Sequence, residues 1–252
     1  MLAIERRREI LARLTLHGKV IVADLAREFA VTEETIRRDL DRLESEGLAS
    51  KTYGGAVSKF NASLELPYTI REEVNIEEKK RIAELVADLI GDGERVMLDA
   101  SSTSLYVFRR LREKKNLTII TNSVKILLES ADKADWTVIS TGGALRTDSL
   151  SLTGPIAEHT LASYYADTAI CSCKGVDAAL GVSDSSQAEY SIKQTLLASA
   201  ARRILCVDSD KFDKKAFVKL FDLSSVDLLV TEREPSPEWQ EICRSNNVRL
   251  VY

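Results

Sequence analysis

Apolar and polar positions divide the chain into two stretches with different rhythms. Over the first 58 residues the rhythm is helical. Ile4, Ile10, Leu11 and Leu14 punctuate the stretch from Ile4 to Leu16, and Gly18 follows as a stop, which predicts an amphipathic helix. Val20, Ile21 and Val22 form a short extended piece, and Ala23–Phe29 reads as a second helix with Leu25, Ala26 and Phe29 turned inward. After only Ala30 and Val31 a third helix opens. Thr32 is its N-cap, Glu33 and Glu34 occupy the first turn where the helix dipole favours acids, and Ile36, Leu40 and Leu43 form an apolar stripe at i, i+4, i+7. This helix runs to about Glu46, with Gly47 placed to end it. Two helices joined by so tight a turn predict a helix-turn-helix over roughly Val20–Asp39. Leu48–Val57 then places two β-favouring pieces around Gly54 and Gly55, which predicts a hairpin in the position of a wing.

The second stretch alternates strand and helix. Ile82, Leu85, Val86 and Leu89 mark a helix over Glu77–Ile90, closed by Gly91-Asp92-Gly93. Seven short apolar runs predict strands at Val96–Asp99, Leu117–Thr121, Thr137–Thr141, Ala166–Cys171, Arg203–Asp208, Leu228–Thr231 and Val248–Tyr252. Helices are predicted at Ser104–Glu113, Val124–Ala131, Ile156–Ser163, Ala188–Ala201 and Glu238–Ser245. Such alternation predicts a mainly parallel sheet covered on both faces, with Gly142–Gly154 as an antiparallel excursion or flap. The fold class is α/β: a small winged helix-turn-helix domain (1–58), a linker (59–75) without firm periodicity, and a larger α/β domain (76–252).

Charge alters this picture only slightly. The 252-residue chain carries a net −4, and residues 1–60 hold 11 Lys/Arg against 10 Asp/Glu, a net of +1. DNA contact therefore has to rest on a few placed groups and on repeated modules rather than on a broad positive field. Thr32, Thr35, Arg37 and Arg38 are the candidates on the third helix, with Lys51 and Tyr53 on the wing; phosphates and base edges suit them, although on the helix alone Arg37 and Arg38 equally suit a solvated charged face. The N-terminus is charged and has no signal-peptide core, and no segment of about 18 apolar residues occurs, so a cytoplasmic protein without a membrane span is expected. Cys171, Cys173, Cys206 and Cys243 have no zinc spacing with the two histidines and read as small buried apolar residues.

Ligands of open α/β sheets bind at the C-terminal strand ends. There the chain places Asp99, Ser101, Ser102, Thr103 and Ser104 at a helix start, where a run of hydroxyls and free N–H groups suits a phosphate; N-capping alone accounts for one of those hydroxyls. Other strand ends carry Thr121 and Asn122, Gly142 and Gly143 with Arg146 nearby, Lys174, and Asp208 with Lys211. Together they predict a polar anionic ligand with several hydroxyls, such as a phosphosugar. An aldose–ketose isomerase would also need a carboxylate base; Glu189, with Lys193 one turn on, is the candidate, and the same two residues equally suit an exposed i, i+4 pair.

The chain resembles the DeoR family of bacterial transcription regulators over residues 3–252. Arg6, Ile10 and Leu14 match the first helix of its signature, Thr35-Ile36-Arg37-Arg38-Asp39-Leu40 the recognition helix, and Lys51–Ala56 the wing, where the family more often has Arg and His. Asp99–Thr103 matches its Asp-and-Thr-pair pattern, with Ser101 where Gly is usual and Ser102 where Thr is usual. Thr121–Ser123, Gly142-Gly143, Gly175-Val176-Asp177 with Gly181, and Asp208, Lys211 and Phe212 match later elements, with Asp210 replacing a Ser. The resemblance implies an effector domain with the fold of ribose-5-phosphate isomerase that binds a phosphorylated sugar or related metabolite. It implies a homo-oligomer (dimer or tetramer) that binds a double-stranded DNA operator, needs no cofactor, and represses a sugar-catabolism operon. Two readings remain beside it: a sugar-phosphate isomerase with an accessory N-terminal module, and a DNA-binding protein whose α/β domain only oligomerises.

Overall fold

The structure is a computed structural model that describes residues 2–58 and 67–252, apart from the side chains of residues 15–17. The chain forms two compact units, Met1–Asn75 and Ile76–Tyr252.

In the first unit, α1 (Ala3–His17) ends at Gly18, whose φ of 73° lets its N–H return to the Leu14 carbonyl. A three-residue strand, β1 (Lys19–Ile21), leads into α2 (Val22–Glu28) and then α3 (Glu33–Ser45). The wing is β2 (Ala49–Thr52) and β3 (Gly55–Ser58), with Tyr53 and Gly54 in the turn; β3 lies between β1 and β2 and is antiparallel to both. A Cβ on Gly55 would stand 2.1 Å from the Val20 carbonyl oxygen, so only glycine lets β3 approach β1 this closely. Ile10, Leu14, Leu25, Ile36, Leu40 and Leu43 pack in one core, as their helical spacing predicts. One polar contact is sealed in beside it. The Arg6 Nε donates to Asp39 Oδ2 at 2.5 Å, and the two side chains are 8% and 5% exposed.

The region read as a linker over residues 59–75 needs correcting at its far end. Tyr68–Glu73 is a helix, α4, and Ile70 is buried in the core of the first unit; residues 59–66 lie outside the described residues. Six residues, fewer than two turns, hold too few positions to display a period, so packing rather than propensity sets it.

The second unit starts with α5 (Ile76–Asp88). Then follow β4 (Arg95–Leu98), α6 (Ser102–Leu111), β5 (Thr118–Thr121), α7 (Val124–Glu129), β6 (Thr137–Ser140), the hairpin β7 (Ala144–Arg146) and β8 (Ser151–Thr153), α8 (Pro155–Ala162) and β9 (Ala166–Ser172). The chain continues through β10 (Gly175–Asp177), β11 (Gly181–Asp184), α9 (Gln187–Ala198), β12 (Ala200–Cys206), β13 (Val218–Phe221), β14 (Leu228–Val230), α10 (Pro237–Ser245) and β15 (Arg249–Val251). The seven runs expected to be strands are the seven strands of one sheet, ordered β15-β14-β12-β9-β4-β5-β6 and parallel throughout. The predicted flap is the antiparallel β7–β8 hairpin. The helix expected over Ala188–Ala201 stops at Ala198, because Ala200 and Ala201 already belong to β12. The antiparallel sheet β10-β11-β13 was not anticipated, since its strands are three or four residues long. The chain builds outward from β4 to β5 and β6, then returns to the other side of β4 with β9. The β4–β9 boundary is therefore the topological switch point, where open sheets of this kind leave a crevice at the strand ends.

Removing one partner of a buried pair strands the other charge. Arg6→Ala should therefore destabilise the first unit by about 3–5 kcal/mol, read from urea unfolding. An unchanged midpoint would show that Asp39 is compensated without Arg6, by water or by Arg7, whose guanidinium lies 3.7 Å from it.

Candidate functional site

The first unit presents α3 and the wing. Thr32 caps α3, with its Oγ1 accepting the Thr35 N–H at 3.2 Å, and the two hydroxyls lie 2.9 Å apart. Arg37 and Arg38 are exposed, but their situations differ. Arg37 donates to Glu33 at 2.6 Å, whereas the Arg38 side chain makes no ion pair or hydrogen bond among the described residues. Lys51 is tied back to α3, its ammonium to Asp41 and its N–H to Glu44 at 2.8 Å. Tyr53 is fully exposed at the wing turn. The six residues expected to meet DNA therefore lie on α3, its N-cap and the wing packed beside it.

In the second unit the strand ends converge on a buried network of charge. Asp99, just after β4, has no exposed surface. Its carboxylate accepts from the Ser101 N–H at 3.1 Å, the Ser101 hydroxyl at 2.6 Å, the Ser104 hydroxyl at 2.5 Å and the Ser172 N–H at 3.1 Å, the last reaching across the switch point from β9. Lys193 on α9 donates to Asp184 and to the Ser172 carbonyl at 2.8 Å, and lies 3.5 Å from Asp99. Lys211 donates to the Ser172 hydroxyl at 3.0 Å and pairs with Asp208 at 2.8 Å. Asp99, Ser101, Asp208 and Lys211, expected from sequence, are thus joined through Ser172 and Lys193. Lys174 also bears on the network, since its charge and that of Lys193 hold the Asp184 carboxyl below its usual range although burial alone would raise it. Burial would lower the Lys193 pKa, but Asp184, Asp99 and Glu189 outweigh it, and the ammonium is held well above its ordinary value.

The hydroxyl run at the start of α6 is partly committed. Ser101 is the N-cap, and Ser101 and Ser104 both turn to Asp99, which leaves the first-turn N–H groups of Ser102 and Thr103 as donors. Thr121 is occupied in structure, donating to the Leu98 carbonyl at 2.7 Å and accepting the Ser123 N–H at 3.0 Å. Asn122 holds the hairpin, its Nδ2 donating to the Leu152 carbonyl at 3.1 Å, while its Oδ1 is buried with no partner. A buried acceptor without a donor is costly. Gly142 and Gly143 follow the edge strand β6. Gly143, at φ 108°, sits where a Cβ would be 2.6 Å from the Thr153 carbonyl oxygen, so both the turn and the close approach require glycine. These two glycines shape the hairpin entry and are not joined to the Asp99 network by any hydrogen bond.

Glu189 and Lys193 are not an exposed helical pair. Both are buried, because this side of α9 packs toward the strand ends. Glu189 accepts from the Ser151 hydroxyl at 2.9 Å, and Arg146 stands 4.0 Å away. Burial, opposed by Lys193 and reinforced by the carboxylates of Asp184 and Asp99, raises its pKa. Glu189 therefore belongs to the same polar region as Asp99, and its position alone does not remove it as a base. Sequence reasoning missed Ser172 and Asp184. The available signal for Asp184 was the echo of Gly175-Val176-Asp177 in Gly181-Val182-Ser183-Asp184, two β-favouring pieces around a short turn.

The four cysteines are free and buried, and burial pushes the Cys173 thiol up to about 12. Among the described residues no group of His, Cys, Asp and Glu converges to hold a metal ion, and no helix is long and apolar enough to cross a membrane.

Two family models match the chain: a DeoR-like helix-turn-helix domain over residues 6–61 and a DeoR C terminal sensor domain over residues 74–233. An uncharacterized HTH-type transcriptional regulator of Bacillus subtilis is 39% identical, covering 100% of this chain and 97% of that protein. The L-fucose operon activator of Haemophilus influenzae is 31% identical, over 96% of this chain and 97% of its own length. A putative aga operon transcriptional repressor of Escherichia coli O157:H7 is 29% identical, over 98% and 93%.

A carboxyl with a raised folded-state pKa is more easily protonated folded than unfolded, so it destabilises as pH rises from the unfolded value through the folded one. Glu189→Gln removes that term. It should leave stability unchanged below about pH 4 and raise it relative to the parent near neutrality, read from unfolding midpoints across pH. An offset that does not vary with pH would show that Glu189 ionises in the ordinary carboxylate range.

Proposed function

The chain belongs to the DeoR family of transcription regulators, and from that membership we propose that it represses a sugar-catabolism operon and is released from its operator by a phosphorylated sugar or a closely related metabolite. The observation that carries this reading is the joining, in one chain, of a helix-turn-helix match with a sensor-domain match. Membership makes the chain a regulator rather than an enzyme, so Glu189 has no catalytic role in this reading. The names of two relatives support control of sugar operons; one is an activator and the other a repressor, and repression is the sign proposed here.

On the DNA side, Thr32, Thr35, Arg37 and Arg38 meet the major groove, and Lys51 and Tyr53 meet the backbone beside it. The Glu33–Arg37 and Asp41–Lys51 pairs are exposed and open at little cost when phosphates arrive. One wing and one recognition helix bury little DNA surface, so a homo-oligomer reading repeated half-sites is part of the proposal.

On the effector side, the phosphate binds the N–H groups of Ser102 and Thr103 at the first turn of α6, with Lys211 or Lys174 supplying positive charge. Sugar hydroxyls donate to Asp99 and to the unpartnered Asn122 Oδ1. Thr121, Gly142 and Gly143 shape the surrounding strand ends, and Asp208 positions Lys211. Because Lys193 and Lys211 are paired internally without ligand, an entering phosphate competes with Asp99, Asp184 and Asp208 for them. Binding therefore redistributes the network that ties β4, β9, β11 and α9 together. Regulation then requires that the ligand favour the arrangement with lower DNA affinity.

Two experiments test these halves separately. In gel shifts with the promoter regions of its own and neighbouring genes, the parent should bind selectively and lose affinity steeply with salt, and Arg37→Ala/Arg38→Ala should lose about 2–6 kcal/mol of binding. Retained operator binding in the double variant would overturn the DNA assignment. In thermal unfolding with a panel of phosphosugars, one should raise the parent's Tm, and Lys211→Ala should abolish that increment. An equal increment in Lys211→Ala would remove Lys211 from the effector site.

A further inference from the structure

Six acids lie on α3 and its C-cap, and five have a protein partner. Glu33 is bound to Arg37, Asp39 to Arg6, Asp41 and Glu44 to Lys51, and Glu46 to Arg42. Among the described residues the Glu34 side chain has neither an ion pair nor a hydrogen bond, and it is exposed. One turn on, the Arg38 side chain is likewise exposed and unpaired among the described residues. The two stand at i, i+4 in the order that favours a helix pair, yet they do not pair.

Their position on the helix gives this meaning. At about 100° per residue, Glu34 and Arg38 lie within about 30° of the direction opposite the buried stripe of Ile36, Leu40 and Leu43. Thr35 and Arg37 fall roughly 80° to either side. The ridge that points straight away from the core therefore carries one free carboxylate and one free guanidinium, at the N-terminal end of the helix, where recognition helices reach base edges. A carboxylate there is repelled by phosphates and needs an amino group to accept from. In the major groove cytosine offers its N4 amino donor with no acceptor beside it on the same base, whereas adenine sets N7 next to its amino group and repels a carboxylate.

We infer that Glu34 is a base-reading residue whose carboxylate accepts from the N4 amino group of a cytosine, and that Arg38 reads a guanine O6 and N7 close by. The helical pitch of about 5.4 Å against about 3.4 Å per base pair separates the two bases by roughly one to two pairs. This inference rests on the DNA-binding reading and adds Glu34 to the residues assigned to DNA above.

The test is selection from a pool of randomised duplexes by the full-length parent, Glu34→Gln and Glu34→Ala. The parent should enrich a cytosine at one position of each half-site. Glu34→Gln should move that position toward adenine, which a carboxamide meets through N6 and N7, while other positions keep their preferences. Glu34→Ala should relax the same position, with a loss on the order of 5- to 150-fold on the parent's operator. A change of preference cannot arise from misfolding, so Glu34→Gln decides even if one variant is less stable. Identical preferences in all three proteins, or a uniform gain of affinity in Glu34→Ala, would overturn the inference. No enrichment by the parent itself would instead overturn the DNA-binding reading, and this inference with it.

Discussion

The second unit depends on how Lys193 is compensated. An ammonium with almost no exposed surface is tolerated only when opposite charge and hydrogen-bond acceptors replace the water it has lost. Lys193 finds them in Asp184 on β11, in the Ser172 carbonyl at the end of β9 and in Asp99 after β4. Asp99 is completed in turn by two serine hydroxyls and two N–H groups. One charge thus fastens α9, the small antiparallel sheet and two central strands to a common centre at the switch point. A network satisfied this fully is stable alone, yet it consists of the groups that an anion bearing hydroxyls would seek. That makes it suitable for converting ligand binding into a change of structure.

The first unit shows the opposite treatment of charge. One pair, Arg6–Asp39, is buried and fixes α3 against α1. On the outer surface, acids neutralise most of the basic groups, which agrees with a module whose net charge is only +1. Affinity therefore cannot come from a diffuse field. It has to come from a few side chains whose neighbours leave them unpaired, or whose pairs are exposed and easily exchanged.

How much of this was legible in the sequence follows the range of the interactions concerned. Helix and strand depend on spacings of two to four residues, so α1 to α3, the wing and the seven sheet strands could be read directly. The very short α4, β10, β11 and β13 could not, because six residues of helix or three or four of strand have no period to show and are held by their neighbours. The same holds for individual side chains. Asp99 and Lys211 were legible because they follow strands, and strand ends meet by topology. Asp184 was not, since it ends a strand that was not foreseen. For Glu189 and Lys193 their own helix left an exposed pair and a site role equally open, and only packing decides, since α9 turns that face inward.

The sequence by itself determined the class of the protein: two units, a helix-turn-helix with its wing, a parallel sheet, and polar groups gathered at the strand ends. These are consequences of local periodicity and of the one general rule that strand ends converge. Only the tertiary structure decided which charges are spent on each other and which remain available. Pairing depends on distances of a few ångströms between segments far apart in the chain. Asp39 is used by Arg6, Asp99 by Lys193 and Ser172, and Arg37 by Glu33, while the side chains of Glu34 and Arg38 and the Asn122 carbonyl oxygen are left without partners among the described residues.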